Sequence, residues 1–88
     1  MVERYLPLAG PLDFAEVVGL AAAAAKRARE RGEPVRYVHS TLLPSDEMCF
    51  CLFEGPSADS VRRANELVGL TFERVVEGRL SEGGERRG

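Results

Sequence analysis

One histidine, His39, and two cysteines, Cys49 and Cys51, are the side chains of this sequence with the widest chemical reach. All three fall within residues 35–57, VRYVHSTLLPSDEMCFCLFEGPS, together with Tyr37 and Glu54. An imidazole suits nickel, zinc or copper, and it needs further ligands close by. With a single histidine, Glu54, Glu3 or the His39 of a second copy has to supply them. The same stretch also offers an acid–base set of His39, Tyr37 and Glu54, provided the three converge in a concave site. Against both stands a plainer reading, an imidazole hydrogen-bonded at a sheet interface. Hairpin register decides part of this. If Tyr37 lies opposite Glu54, both share the face of His39, and a one-residue slip moves Glu54 to the other face.

The cysteines are spaced C-x-C, whereas zinc motifs usually come as paired C-x-x-C units. Residues i and i+2 of a strand point the same way but lie roughly 6.5–7 Å apart at Cα, at the edge of what a disulfide tolerates. The expectation is two reduced thiols in a cytoplasmic protein. A buried free cysteine ordinarily packs as a small apolar residue, and the alternative is a soft-metal or redox role. Glu3, Tyr5 and Glu77 are the other polar groups on or near strands, where an exposed edge or a dimer rim accounts for them.

These residues need elements to position them. Residues 2–6 alternate, with Val2, Arg4 and Leu6 against Glu3 and Tyr5, as a short strand does. Residues 13–31 read as a helix. Asp13 and Glu16 form a capping box, Leu12 and Val17 a hydrophobic staple. Phe14, Val17, Val18, Ala21, Ala25 and Ala28 make one apolar face. Gly32 ends the helix and Pro34 prevents its continuation. Residues 35–42 are a strand with Tyr37, His39 and Thr41 on one face and Arg36, Val38, Ser40 and Leu42 on the other. A short turn at 43–46 joins it to a second strand at 48–54, which makes the pair an antiparallel hairpin. The second strand is nearly all apolar and belongs at the centre of a sheet, covered on both faces. Ser57 caps a second helix with Val61, Ala64, Leu67 and Val68 inward, and Gly69 stops it. A last strand is expected at 71–78.

Strand, helix, strand, strand, helix, strand is the ferredoxin-like plan, a four-stranded antiparallel sheet with both helices on one face. The 88 residues allow a single domain, expected at 1–80, with the Gly-rich charged segment 81–88 as a disordered tail. Such a small core is thin, and the bare sheet face invites a second copy of the chain. A net charge of −2, with the basic residues dispersed, gives no footprint for nucleic acid or an anionic membrane. No segment has the roughly 20 apolar residues that span a bilayer. Phosphate-binding glycine loops and a Gly-x-Ser-x-Gly elbow are missing as well.

Several short motifs, taken together, resemble a family of small bacterial proteins labelled nickel-binding. They are Tyr37 followed by His39-Ser40, then Cys51 to Pro56 (CLFEGP), the apolar-Gly-apolar step from Val68 to Leu70, and Arg74 to Glu77 (RVVE). The opening VERYLP is also similar to that family's first strand, so the likeness runs over residues 2–77. It implies a ferredoxin-like fold, a homodimer built sheet to sheet, and bound nickel in at least some members. The positions that match as metal ligands are His39, Glu54 and Cys51. The resulting expectation is a small dimeric binding protein that takes a divalent transition metal, nickel, near the sheet interface. Two alternatives accompany it. One is a cofactor-independent enzyme of isomerase, cyclase or monooxygenase type acting on a small molecule. The other is a module that only associates with itself.

Overall fold

The computed structural model describes residues 1–78. The segment 81–88, expected to be a disordered tail, lies outside the described residues. Six main elements follow in order: β1 (Val2–Tyr5), α1 (Phe14–Glu30), β2 (Arg36–Leu43), β3 (Met48–Glu54), α2 (Ala58–Leu67) and β4 (Arg74–Val75). The strands form one sheet in the order β2-β3-β1-β4, antiparallel at every pairing. This is the ferredoxin-like α+β fold expected from the element order.

Helix α1 begins where its capping chemistry places it. The Glu16 amide donates to Asp13 Oδ1 at 2.8 Å, and the Asp13 amide donates to Glu16 Oε1 at 3.0 Å. Gly32 takes the left-handed conformation, φ 88°, that a helix ending favours in glycine. The inward face is Val17, Ala21, Ala24, Ala25 and Ala28. Four alanines on that face keep the helix close to the sheet and leave the core small. Helix α2 is capped by Ser57, whose hydroxyl accepts from the Ser60 amide at 3.1 Å.

The centre of the sheet is β3, paired to β2 on one side and β1 on the other. Its alternate residues Cys49, Cys51 and Phe53 are buried under the helices. Met48, Phe50 and Leu52, on the opposite face, are only half-buried. The chain therefore covers one face of β3 itself, where two covered faces were expected.

The β2–β3 ladder is irregular. His39 to Leu43 pair in one register, from His39↔Leu52 to Leu43↔Met48, while Tyr37 pairs with Phe53 and Arg36 with Glu54. The shift is a bulge that leaves Val38 unpaired. Simple alternation put Tyr37 and His39 on the same face. The extra residue reverses that, and Tyr37 faces the helices while His39 faces away. The turn itself is a single 3-10 turn, Pro44–Asp46, followed by Glu47 in the left-handed region at φ 51°. Glu47 locks the hairpin to β1. Its main-chain oxygen accepts from the Leu6 amide at 2.6 Å, and its carboxylate accepts from the Tyr5 hydroxyl and the Leu8 amide at 3.0 and 2.9 Å.

Strand β4 is shorter than the expected 71–78. Ahead of it, the Thr71 carbonyl accepts from Arg4 Nη1 at 2.8 Å. Bonds from Glu73 N to Glu3 O and from Val76 N to Met1 O, each 2.7 Å, extend the edge beyond the two paired residues. Arg4 is 3% exposed, and its other terminal nitrogen donates to Asn65 Oδ1 at 2.7 Å. Asn65 in turn donates to the Val61 carbonyl at 2.9 Å. The inward face of α2 is accordingly Ser60, Val61, Ala64 and Asn65. Val68 is half-buried and packs against the core as expected, whereas Leu67, also expected inward, is half-buried.

Two outcomes follow from this packing. Asn65→Ala removes the acceptor of a buried guanidinium and should lower unfolding free energy by about 1–3 kcal/mol in urea titrations. An unchanged midpoint would show that the Arg4–Asn65 bond does not hold α2 to β1. Separately, Glu33 is held below its ordinary value of 4.5, first by the hydrogen bond from Arg63. A carboxyl lowered on folding adds stability above its unfolded value, and that stability is lost as pH falls through the folded one. Below about pH 4.5 the native chain should therefore lose stability more steeply than Glu33→Gln, as read from melting temperature against pH.

Candidate functional site

The face turned away from the helices is built by alternation. Tyr5, Met48 and Leu43 stand in one row across β1, β3 and β2. Glu3, Phe50 and Thr41 form the next, with Arg74 beyond Glu3 on β4. His39 lies opposite Leu52 in the row after that, and its side chain is exposed. The imidazole is thus presented outward from a surface whose neighbours are half-buried apolar side chains.

Glu54 shares this face, at the end of β3, but its carboxylate is occupied. Arg36 Nε and Nη2 donate to Glu54 Oε1 at 3.0 and 2.6 Å. Both registers weighed from the sequence occur, one on each side of Val38. That is why Glu54 pairs with Arg36 and not with Tyr37. Glu3 is similarly engaged, accepting from Arg74 Nε at 3.0 Å. Tyr37 is on the other face. Its hydroxyl lies 2.6 Å from Ser40 Oγ, and its ring centroid is 5.5 Å from that of Phe53.

The thiols also lie under the helices. Cys49 and Cys51 are both free and fully buried, with their sulfurs 3.9 Å apart. Ser40 Oγ donates to Cys51 Sγ at 3.0 Å. Burial first, then the charge and hydrogen bond of Cys51, push the Cys49 thiol up to about 12. A thiol so placed stays protonated near neutrality and is a poor ligand for a surface ion.

His39 and Glu54 therefore share a face, and Cys51 lies on the opposite one. Among the described residues, no group of three or more His, Cys, Asp or Glu side chains is placed to hold a metal ion together. The acid–base set does not converge either. One groove, about 580 Å³, opens at the end of the sheet between Glu54, Pro56, Val61, Val76 and Glu77. A second, about 310 Å³, lies between Ala22, Ala25, Arg29, Arg36 and Tyr37. His39 lines neither. Among the described residues no helix is long and apolar enough to cross a membrane.

Arg4, Asn65 and Glu47 are the polar residues that sequence patterns did not single out. A signal existed for Arg4, which occupies the inward position between Val2 and Leu6. Asn65 carried none, since asparagine on a short helix ordinarily reads as surface.

Residues 1–77 match the family described as "Nickel responsive protein SCO4226-like", and the chain belongs to that family. A solved structure similar to it is the crystal structure of SCO4226 from Streptomyces coelicolor A3(2). The two are 25% identical, with a TM-score of 0.64, over 90% of this chain and 95% of that one. No curated protein matches the chain.

The burial of both thiols has a direct chemical consequence. Native protein at pH 8 should react with a disulfide reagent far more slowly than a free thiol, and both cysteines should titrate at once in denaturant. Rapid labelling of either one in the folded state would place it at the surface and return it to the candidate ligands of His39.

Proposed function

We propose that this member of the SCO4226-like family is a small binding protein that pairs through its bare sheet face and responds to nickel through His39. Three things support the reading. The family's description names nickel responsiveness. The imidazole stands exposed on the face that α1 and α2 leave bare. On that face Met48, Phe50 and Leu52 are half-buried and Leu43 and Tyr5 exposed, apolar side chains set among Glu3, Thr41 and Glu54. The exposed His39 is the observation that carries the reading.

The residues of one chain do not fit a nickel ion unaided. One imidazole is a single donor, and the carboxylates of Glu3 and Glu54 are held by Arg74 and Arg36. A two-fold interface doubles every donor on the shared face. Two copies paired sheet to sheet bring two imidazoles, and displacing an arginine from Glu54 supplies carboxylate oxygen. On such a shared face, His39 of each copy, with Glu54, would hold the ion, and the cytoplasm is where such a protein with two reduced thiols would meet it.

Chelator-free protein titrated with nickel by calorimetry should release heat, and sedimentation should show the dimer tightened. His39→Ala should abolish the heat while the apolar contact keeps the copies associated. If the variant binds nickel as the natural chain does, His39 is not a ligand. If the natural chain gives no heat above dilution and still dimerises, only the self-association remains.

A further inference from the structure

The C-x-C pair and the buried arginine take no part in the His39 reading, and they lie together on the other side of the sheet. Arg4 pairs directly with Cys49 in the β1–β3 ladder, so their side chains are neighbours on the helix-covered face. Cys51 is the next residue on that face, its sulfur 3.9 Å from that of Cys49. The Arg4 guanidinium is nine-tenths and more buried, yet among the described residues it bonds to neutral oxygens alone, the Thr71 carbonyl and the Asn65 amide. Its Nε has no partner among the described residues. A buried cation without a carboxylate is costly, and such groups are ordinarily paired. What stands beside it instead is the Cys49 thiol, with the Cys51 sulfur next to that one.

We propose that Cys49 and Cys51 form a site for one thiophilic monovalent cation of the copper(I) class, with Arg4 balancing its charge. The step is a proton exchange without redox change. Both S–H bonds break, two metal–sulfur bonds form, and two protons leave to solvent. The product, two thiolates around one monovalent ion, carries a single negative charge beside a single guanidinium, so the buried cluster is neutral. Bare thiolates would be strongly disfavoured here, as the high Cys49 value shows. The ion removes that penalty because it arrives as the protons leave.

Geometry and ligand type select the metal. Metal–sulfur bonds of roughly 2.3 Å let one ion touch two sulfurs up to about 4.6 Å apart, which includes the observed 3.9 Å. Structural zinc needs four ligands, and no third His, Cys, Asp or Glu joins the pair among the described residues. Soft thiolates favour copper(I), which is satisfied by two of them. Entry requires transient separation of a helix from the sheet, a local opening that a thin core of alanines permits. This inference stands apart from the nickel reading, since it uses the opposite face and needs no second copy.

The test uses silver(I), a redox-inert ion of the same class, added to the reduced full-length chain without oxygen at pH 7. One ion should bind per chain, with two protons released per ion, a thiolate-to-metal absorption in the near ultraviolet, and an unchanged far-ultraviolet spectrum. Cys49→Ser and Cys51→Ser should each weaken uptake, and C49A/C51A should abolish it. Arg4→Lys should retain the affinity, while Arg4→Met should lower it by on the order of tenfold or more through loss of the balancing charge. A native far-ultraviolet spectrum in each variant distinguishes the buried site from the thiols of an unfolded chain, which release protons to silver as well. Uptake by C49A/C51A equal to that of the natural chain, binding with no proton released, or binding only with loss of native secondary structure would each overturn the proposal.

Discussion

Two helices cover one face of a four-stranded sheet, and among the described residues nothing covers the other. The rest of the molecule follows from that asymmetry. Side chains on one side of β3 must be apolar and closely fitted, and Cys49, Cys51 and Phe53 are. Those on the other side face either water or another surface. Met48, Phe50 and Leu52 are too apolar to be at ease in water, yet they sit half-buried among polar neighbours. Burial is worth roughly 25 cal/mol per Å² of apolar surface, so pairing two such faces is a ready source of stability for a chain this small.

Within that frame, the bulge at Val38 sorts the chemistry. It sends Tyr37 under the helices and leaves His39 outside, and it aligns Arg36 with Glu54. Without the extra residue, an imidazole, a phenol and a carboxylate would share one surface, the arrangement that an acid–base site needs. With it, the outer face among the described residues presents an exposed imidazole beside carboxylates of Glu3 and Glu54 that are already committed to arginines. The inner face receives the thiols and the phenol. The exposed imidazole and the buried thiols are thus kept apart by one strand's thickness.

Much of this was legible in the residues, and the reasons differ by element. The capping box of Asp13 and Glu16, the glycine endings and the alternation in β1 are local devices, and local devices are visible in a sequence. The strand order followed because short connections leave few topologies. The Val38 bulge was not legible, because both registers satisfy the apolar pattern of 48–54 equally well. Nor was the shortness of β4, whose two paired residues, Arg74 and Val75, meet a strand from the far end of the chain. Arg4 and Asn65 illustrate the same limit. Each looks ordinary alone, and only their meeting, 61 residues apart, makes them structural. Of the proposed ligands, His39 and Glu54 were placed on a common face by one of the two registers considered. The separation of Cys51 required the three-dimensional pairing.

We propose that nickel meets this protein at His39, on the face α1 and α2 leave bare. Paramagnetic broadening tests it most directly, because a bound nickel ion erases the NMR signals of nearby nuclei. Sub-stoichiometric nickel should first bleach His39, Thr41 and Leu52, and leave the Ala24 and Ala28 signals of α1 intact. Bleaching that begins at the helices or at Cys49, with the His39 resonances still sharp, would contradict the account.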